Sequence, residues 1–496
     1  MLQFFGDLTA WQLTLFIIDY SIKIVAVGVV PENRHPSSST AWLLVILLLP
    51  FVGLPLFLAF GSQTITGRRH RVQAMANKEI VARNRDLPDT PPDASVDPEL
   101  ANTISMARKL IGMPAVSGDV QALHTSYASI ISAMTTAVDR AEFTVYCQMY
   151  IFALDETTKP FIDALGRAKA RGVHVRVLVD PIGSRKYPGY RKLKRFLRDH
   201  EIDWHAMLPI NLFRLRWRRF DLRNHRKMLL IDGHTAFMGS LNMIEPEYQQ
   251  RENHKTGRQW IDIMVELQGD IVPQLEAVFA TDWASESVDV PAIQMRQEVV
   301  GDESPGRSSA PSNRSLMQIL PSGPGYTTEP NLRVFNDLLY MGTERVSICS
   351  PYFVPDESFL MSMTSAAYAG VEVELFVNEK SDHFMVGHAQ CSYYYALLEA
   401  GVKIYLYPAP MILHSKFMVV DNKVAVMGSS NMDMRSFGLN YEVTLLSSCG
   451  DLVPKLRTCA DEYRAASRLL TLEEWKQRNW GLRYLDNVLR MTSALQ

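Results

Sequence analysis

The sequence His225-Arg226-Lys227 recurs in this chain as His414-Ser415-Lys416. Each copy is followed at matching offsets by an aspartate, a serine and an asparagine, which are Asp232, Ser240 and Asn242 in the first copy and Asp421, Ser429 and Asn431 in the second. The offset from histidine to asparagine is 17 residues in both copies, because 242 − 225 equals 431 − 414. Two copies with equal spacing, each set in a hydrophobic run, predict an internal duplication that brings two histidines and two lysines to one site.

The flanking sequence is also repeated. Residues 142–147 and 344–349 are both strand-like, and residues 171–179 and 369–377 each place a glycine before an alternating β-branched strand. A glycine that ends a helix before such a strand is typical of an αβ unit. Alternating helices and strands predict the α/β fold class, with two α/β sandwich halves that form a pseudo-dimer and place both motifs at their interface.

The N-terminal region has the composition of a membrane segment. Residues 41–60 carry no charge over a length that spans a bilayer, and residues 8–30 form a second candidate interrupted by Asp19 and Lys23. At i and i+4 these two side chains can pair on one helix face. The sequence therefore predicts a transmembrane helical hairpin. The residues that allow a kink or a re-entrant hairpin instead of a straight span are Pro50, Gly53 and Pro55.

Composition changes along the chain predict its organisation. The predicted parts are an N-terminal transmembrane hairpin at 1–66, a basic and then polar linker at 67–100, a first half at 101–285, a second linker at 286–330, and a second half at 331–496 with a C-terminal amphipathic segment. Basic residues collect at 67–71, so the large C-terminal part is expected on the cytoplasmic side, with the first residues there too. That orientation predicts a multi-pass membrane protein.

The bulk composition excludes several functional classes. The formal net charge is −2, which does not suit a protein that binds nucleic acid without sequence preference. The five cysteines have no metal-ligand or disulfide spacing and are expected to be reduced thiols. The sequence offers no carboxylate cluster suited to magnesium, so neither a metal nor another cofactor is expected.

The histidine and lysine of each copy are at i and i+2, so on an extended strand they present an imidazole and an ammonium to one cleft. Two such sets suit phosphoryl transfer. One histidine attacks phosphorus and forms a phosphohistidine, while the other protonates the leaving alkoxide and then deprotonates the incoming alcohol. The lysines neutralise the developing charge. The serines and asparagines of the repeat are expected to donate hydrogen bonds to the phosphate.

The repeated motif resembles the signature of the phospholipase D superfamily, His-x-Lys-x4-Asp with a downstream Gly-Ser-x-Asn. The resemblance implies the duplicated phospholipase D fold. It also implies a reaction that transfers a phosphatidyl group from one phosphatidylglycerol to another with release of glycerol, at the bacterial inner membrane. The segments that are similar to bacterial cardiolipin synthases are the two N-terminal apolar stretches and residues 36–44, 221–227, 259–262, 350–355 and 431–436.

The resemblance also implies roles for individual residues. His225 would be the nucleophile and His414 the general acid and base, although two nearly equivalent motifs do not order the histidines from sequence alone. Glu442 matches the family's orienting carboxylate after the second motif, and Asp262 resembles its counterpart after the first.

The aspartates of the two motifs, Asp232 and Asp421, belong to the catalytic signature. Each lies at the end of a predicted strand, where an aspartate commonly makes turn hydrogen bonds. Their position therefore favours a structural role over direct chemistry.

Two further segments mix apolar and basic residues. Residues 211–220 precede the first motif closely, and we interpret them as a membrane-dipping element whose arginines hold anionic headgroups. Residues 475–491 are compatible both with an interfacial helix and with packing on the core. The expected partners are anionic phospholipid and the membrane, and the oligomeric state stays open, a homo-oligomer included. The headgroup-binding arginines are Arg214, Arg216 and Arg219.

The alternative functions differ in what reaches the phosphohistidine. Water would make the chain a hydrolytic phospholipase D, and serine would make it a phosphatidylserine synthase. The motif does not distinguish these from a lipid glycerol. An inactive membrane scaffold is an alternative of another class, which complete histidine, lysine and asparagine sets in both halves disfavour.

Overall fold

The computed structural model describes residues 9–32, 36–61, 68–209, 221–287 and 314–491. The chain divides into two compact units, of which the first is Met1–Ile65 with Arg219–Asp221 and the second is Thr66–Arg218 with Leu222–Gln496. The first unit holds the apolar N-terminal helices, and the second holds both copies of the repeated motif.

Among its described residues, the first unit contains one helix of membrane-spanning length, α1 (Ala10–Val29), which has 20 residues. Asp19 and Lys23 form an ion pair of 2.7 Å within it, as their spacing predicts. Two shorter apolar helices follow, α2 (Pro36–Leu48) and α3 (Pro50–Phe60). Their 13 and 11 residues give lengths of about 20 and 16 Å, well below the ~30 Å of a hydrocarbon core.

Helices α2 and α3 fold back on each other, which agrees with the predicted alternative of a kink or re-entrant hairpin and not with a straight second span. Leu49, between them, has φ −134° and ψ 67°, which interrupts the helix. The rings of Trp42 and Phe57 lie 5.6 Å apart across the hairpin. A Cβ on Gly53 would come within 2.8 Å of the Cα of Ile46, so this close approach requires glycine. The apolar segment after α1 therefore has the geometry of a re-entrant hairpin.

The second unit is built on one continuous sheet of 15 strands. Those of the first half are β1 (Val116–His124), β2 (Thr144–Met149), β3 (His174–Val179), β4 (Asp203–Ala206), β5 (Met228–Ile231), β6 (Thr235–Gly239) and β8 (Met264–Gly269). Those of the second half are β9 (Ser315–Ser322), β10 (Arg345–Cys349), β12 (Glu372–Asn378), β13 (Lys403–Tyr407), β15 (Phe417–Val420), β16 (Val424–Gly428), β18 (Glu442–Ser448) and β19 (Arg468–Leu470). Two short parallel pairs lie outside this sheet, β7 (Trp260–Ile261) with β14 (Ile412–Leu413) and β11 (Phe353–Val354) with β17 (Met432–Asp433).

The strand order is the same in both halves. It is β4-β3-β2-β5-β6-β8-β1 in the first and β13-β12-β10-β15-β16-β18-β9 in the second, with β19 at the outer edge. Strands β1 and β9 pair antiparallel and join the halves, with Val116 opposite Met317. The prediction of a duplicated α/β fold is therefore confirmed, and the two halves share a single sheet.

The helices of the second unit alternate with these strands. One hydrophobic core contains buried residues from both halves, and another lies within the first half, so the halves are not separate folding units. The helices are α4 (Arg68–Arg83), α5 (Pro98–Ile111), α6 (Tyr127–Arg140), α7 (Lys159–Ala170), α8 (Pro181–Arg185), α9 (Pro188–Asp199), α10 (Arg251–Thr256), α11 (Val272–Glu286), α12 (Pro330–Met341), α13 (Glu357–Tyr368), α14 (Phe384–Glu399), α15 (Met434–Gly438), α16 (Leu452–Ala466), α17 (Leu472–Lys476) and α18 (Trp480–Arg490).

Helix α4 occupies most of the basic part of the region predicted as a linker, so that part of the prediction is wrong. Arg69 on α4 is fully buried and forms ion pairs with Asp282 and Glu286 of α11. Its Nε donates to the hydroxyl of Tyr441 at 2.9 Å. One of the basic residues that the sequence suggests for orientation in the membrane is thus used inside the fold.

Candidate active site

The two histidine–lysine pairs lie at equivalent positions of the two halves. His225 and Lys227 immediately precede β5, and His414 and Lys416 immediately precede β15. All four residues are buried, the most exposed being His225 at 8 %. Both lysines and the second histidine are close enough to His225 to lower its pKa through their charge. The structure therefore brings together the four residues that the repeat predicts in one site.

Each histidine is oriented by a carboxylate from the other half. His225 Nδ1 lies 2.9 Å from Glu442, and His414 Nδ1 lies 2.6 Å from Asp262. Because a carboxylate accepts hydrogen bonds, Nδ1 carries the proton of each imidazole and Nε2 keeps its lone pair. The sequence identifies both carboxylates but associates each with the motif it follows, and it does not reveal this exchange between the halves.

Backbone hydrogen bonds between the halves explain the exchange. His414 N donates to Ile261 O at 2.8 Å, next to Asp262, where β14 runs parallel to β7. In the same way, His225 N donates to Tyr441 O at 2.9 Å, next to Glu442. Each histidine is thus attached to the segment that carries the other half's carboxylate.

The two serines of the repeat donate to these carboxylates. Ser240 Oγ donates to Asp262 at 2.6 Å, and Ser429 Oγ donates to Glu442 at 2.5 Å. A hydroxyl has one hydrogen, so neither serine in this arrangement donates to a phosphate. The prediction that these serines donate hydrogen bonds to the phosphate is therefore wrong. Their hydroxyls hold the carboxylates that orient the histidines.

The two asparagines of the repeat differ from each other. Asn242 Nδ2 donates to the hydroxyl of Tyr248 at 2.9 Å, and its Oδ1 accepts from Ile151 N at 3.3 Å. Asn431 Oδ1 is buried and has no hydrogen-bond partner within the described part of the chain. Because Oδ1 is an acceptor, this does not bear on donation to a phosphate, which stays a prediction for Asn431, whereas the Nδ2 of Asn242 already donates to Tyr248.

Both lysine ammonium groups are buried at the site. Lys227 Nζ donates to His225 O at 2.6 Å, and Lys416 Nζ donates to His414 O at 2.5 Å. Burial lowers the pKa of Lys227 to about 7 and that of Lys416 to about 8. Two buried cations so close together favour an anionic ligand, which would restore the charged form of both.

The two histidine–carboxylate pairs differ in their electrostatics. Burial, followed by the charges of Lys227 and Lys416, holds the pKa of His225 well below its usual range. Burial also raises the pKa of Glu442 to about 7. Burial opposes ionisation of Asp262, but His414, Lys416 and Ser240 together lower the pKa of this carboxyl. Burial and the charge of Lys416 lower the pKa of His414 as well, with Asp262 opposing them, so both imidazoles favour the neutral form and Asp262 keeps its negative charge beside His414.

The two motif aspartates lie at the far end of their strands, away from the histidines. The four residues of β5 lie between Lys227 and Asp232, whose Cα atoms are therefore about 16 Å apart. Asp232 accepts the backbone N–H groups of residues 142, 143 and 144 at 2.7–2.9 Å. Asp421 accepts those of residues 343, 344 and 345 at 2.9–3.1 Å. These contacts support the structural role and not a place in the catalytic set.

A pair of polar residues that the sequence did not reveal holds the histidine segments. Asp180 follows β3 and accepts the backbone N–H of Asn224 at 3.0 Å. Asn378, at the end of β12, accepts that of Leu413 at 2.7 Å. Each fixes the residue that precedes a histidine. An alignment of the two repeated strands would have shown both at the same position.

Two tyrosines were missed in the same way. The ring of Tyr150 lies 4.9 Å from that of His225, and the ring of Tyr352 lies 6.4 Å from that of His414, both edge to face. Each follows a cysteine of the repeated strand at the same offset, since 150 − 147 equals 352 − 349. The signal was therefore present in the repeat.

The three arginines proposed to hold headgroups, Arg214, Arg216 and Arg219, lie outside the described residues. The C-terminal segment forms α17 and α18, and α18 packs along α14.

Known proteins are similar to this chain over nearly its whole length. A family model described as "Cardiolipin synthase, PLD-like domain" matches residues 134–283 and 337–462, which lie in the two halves. Cardiolipin synthase A of Serratia proteamaculans is 31% identical over 97% of this chain and 98% of its own length. Cardiolipin synthase A of Proteus mirabilis is 30% identical over 99% of both chains. The chain belongs to the cardiolipin synthase family.

Membership of the cardiolipin synthase family makes the chain an enzyme, a phosphatidyltransferase of the phospholipase D superfamily. A second family model, described as "Phospholipase_D-nuclease N-terminal", matches residues 22–62 and supports an association with the membrane. The solved phosphatidylserine synthase of Haemophilus influenzae has a TM-score of 0.57 and 16% identity, over 78% of this chain and 99% of that chain. That likeness shows the fold.

Proposed function

We propose that the site transfers a phosphatidyl group from one phosphatidylglycerol to a second one, which yields cardiolipin and free glycerol. The observation that carries the proposal is the pair of buried imidazoles, each with Nδ1 held by a carboxylate of the opposite half. Such a pair offers two Nε2 atoms to one phosphate, one for attack on phosphorus and one for proton transfer. The relatives named cardiolipin synthase A supply the substrate class.

The first step forms the covalent intermediate. His225 Nε2 bonds to phosphorus while the bond from phosphorus to the glycerol oxygen breaks, and the imidazolium of His414 gives its Nε2 proton to that oxygen. His225 suits the attack because its depressed pKa keeps it neutral. His414 suits proton transfer better than His225, because the charge and hydrogen bond of Asp262 oppose the burial and the Lys416 charge that lower the pKa of His414. Lys227 and Lys416 oppose the charge that develops on the phosphate oxygens.

In the second step, the direction of proton transfer at His414 is reversed. His414 Nε2 accepts the proton of a headgroup hydroxyl of the second phosphatidylglycerol, whose oxygen attacks phosphorus and releases His225. The chemistry is identical if water or serine attacks, so the site geometry does not select the acceptor. The family relationship favours the lipid hydroxyl.

The test incubates the purified full chain in mixed micelles with phosphatidylglycerol labelled in its acyl chains, without added metal. Thin-layer chromatography should show labelled cardiolipin, with an equal amount of free glycerol. The variants His225→Ala and His414→Ala should make none while they keep the melting temperature of the wild type. Phosphatidic acid as the sole labelled product would identify water as the acceptor and refute the synthase. Cardiolipin made at the wild-type rate by either variant would refute the mechanism.

We further propose that the catalytic unit lies on the cytoplasmic face of the bacterial inner membrane. Because α2 and α3 form a hairpin, we take α1 as the single crossing among the described residues, in place of the predicted multi-pass arrangement, which puts the first residues on the opposite face. The segment before α1 has no lysine or arginine, whereas Arg34, Arg68 and Arg71 follow it, in agreement with the positive-inside rule.

Labelling of single cysteines tests this orientation. In a Cys449→Ser background, which removes the exposed native thiol, an impermeant maleimide should label Thr9→Cys in spheroplasts. It should label Lys78→Cys only after lysis. Protection of Thr9→Cys in intact spheroplasts would instead restore the two-span hairpin, with both ends inside.

A further inference from the structure

The C-terminal helix α18 carries an exposed apolar stripe. Trp480, Tyr484, Val488 and Met491 follow each other at steps of four, four and three residues, which places them on one face of a helix. Their exposures are 76, 61, 40 and 83 %. The rings of Trp480 and Tyr484 stack at 5.7 Å from each other and not against the core. An exposed apolar stripe of this length indicates an interaction surface.

The opposite face of α18 fixes the helix to the catalytic unit. Asp486 is buried, with His388 Nδ1 at 2.7 Å and Arg478 donating to it at 2.7 Å. Arg490 stacks over the ring of Tyr393 at 4.6 Å. The stripe is therefore held in a fixed direction by α14. These contacts support the core-packing alternative for this face of the helix, and the interfacial helix stays a prediction for the exposed face.

These contacts also show which end of α18 is near the active site. Residue 486 meets 388 and residue 490 meets 393, so α14 and α18 run parallel and their N-terminal ends lie together. At the N-terminal end of α14, Phe384 and Met385 are 66 and 46 % exposed. The apolar surface thus extends from α18 onto the start of α14.

The start of α14 adjoins the active site. His383 directly precedes it, and its ring lies 5.4 Å from that of Tyr352. The ring of Tyr352 lies 6.4 Å from that of His414. The exposed residues at the start of α14 are therefore two ring contacts away from a catalytic histidine.

The charges of α18 complement an anionic surface. Arg483 and Arg490 are exposed, whereas the acidic residue of the helix, Asp486, is buried between its two partners. A helix with exposed aromatic and aliphatic residues and exposed arginines has the composition of an interfacial membrane helix. A second copy of this chain would bring the same positive charges together.

We propose that Phe384, Met385, Trp480, Tyr484, Val488 and Met491 form a docking surface that inserts into the interface of an anionic bilayer and holds the mouth of the active site against it. The proposal rests on the proposed function in one respect, namely that the substrates are lipids drawn from that bilayer. The docking surface would let a lipid headgroup reach the histidines while its acyl chains remain in an apolar environment.

A spin label tests the docking surface directly. The full chain with Cys449→Ser and Trp480→Cys carries a nitroxide and is reconstituted into vesicles that contain phosphatidylglycerol. The matched control is Phe143→Cys, which replaces an aromatic residue of similar exposure, 64 %, at the opposite end of β2 from Tyr150. We expect the label at 480 to be relaxed by oxygen and protected from an aqueous nickel complex, and the label at 143 to show the reverse. Equal access of the nickel complex to both sites would refute the proposal. Spin–spin broadening at 480 without contact with lipid would also refute it, in favour of a second copy of the chain.

A kinetic test separates this proposal from the proposed function. The double variant Trp480→Ala/Tyr484→Ala should raise KM for phosphatidylglycerol in vesicles about ten-fold, because it loses apolar area at the interface. It should leave turnover of a short-chain, monomeric phosphatidylglycerol unchanged. Equal loss on both substrates would indicate a folding defect and would contradict the docking role. Absence of cardiolipin from the wild type on either substrate would refute the proposed function, while the spin-label result would still decide the docking surface.

Discussion

The proton on each imidazole of the site is placed by a residue from the opposite half of the chain. Glu442 holds Nδ1 of His225, Asp262 holds Nδ1 of His414, and a serine hydroxyl secures each carboxylate. A carboxylate in this position fixes the tautomer and stabilises the imidazolium when it forms. In the proposed mechanism, Glu442 thus serves the attacking imidazole and Asp262 serves the imidazole that transfers the proton.

Conservative substitutions of these carboxylates should separate the two steps. We expect Glu442→Gln and Asp262→Asn each to lower turnover of phosphatidylglycerol by about 100-fold or more. A substrate with a p-nitrophenol headgroup needs no proton to leave, so Asp262→Asn should still form the phosphohistidine and should accumulate it. Glu442→Gln should release p-nitrophenol slowly. A burst of p-nitrophenol from Glu442→Gln but not from Asp262→Asn would reverse the assigned roles of the histidines.

The buried lysines predict a loss of substrate capture at alkaline pH. Burial lowers the pKa of Lys227 to about 7 and that of Lys416 to about 8, so both ammonium groups lose their proton as pH rises through this range. Since the charged form attracts the phosphate, kcat/KM should fall as pH rises from about 7 to 9. The fall in kcat should occur at higher pH than the fall in kcat/KM, because bound phosphate stabilises the ammonium groups. The control Lys416→Arg stays charged and should show a shallower fall, and an unchanged kcat/KM up to pH ~9 in the wild type would contradict the assignment.

At the scale of elements, short backbone pairings between the two halves hold the histidine segments in position. The pairing of β7 with β14, and that of residues 224 and 441, attach each histidine segment to the opposite half. Helix α4 reinforces the second of these contacts, because Arg69 binds the hydroxyl of Tyr441 and the carboxylates of α11. A helix that immediately follows the apolar region is thus part of the catalytic unit.

Removal of the buried guanidinium should destabilise the catalytic unit. Arg69→Ala leaves the carboxylates of Asp282 and Glu286 without this partner, and we expect the free energy of unfolding to fall by about 3–5 kcal/mol. The matched control is Arg83→Ala on the same helix, whose partner Glu79 is 40 % exposed, with an expected change below about 1 kcal/mol. Denaturant unfolding of both variants in detergent measures the difference. Similar stabilities of the two variants would show that α4 is only a tether.

At the scale of the whole molecule, the two halves form one catalytic body. They share the 15-stranded sheet, a hydrophobic core and both histidine–carboxylate pairs. In each half, the histidine is oriented by a carboxylate that belongs to the other half. We therefore expect neither half to be active alone.

Cleavage between the halves should therefore leave activity intact. A protease site inserted at 288–313 allows the chain to be cut after folding. We expect the two fragments to co-purify and to keep near wild-type turnover, because β1 and β9 and the shared core hold them together. Fragments expressed separately should be inactive until they are mixed. Loss of activity upon cleavage of the folded protein would contradict this account.

The sequence by itself determined the duplication, the α/β class, the two histidine–lysine pairs and both orienting carboxylates. The duplication, the class and the histidine–lysine pairs follow from local spacing and residue chemistry, which a repeat makes visible. The two carboxylates, 37 and 28 residues after their histidines, follow only from the resemblance to the phospholipase D superfamily. Only the tertiary structure decided which carboxylate serves which histidine, because that depends on backbone pairing between segments about 150 to 220 residues apart. The tertiary structure also showed that the serines bind carboxylates, that α2 and α3 fold back on each other, and that Arg69 is buried. In each case the partner is distant in sequence or the backbone changes direction. Local residue spacing predicts neither of these.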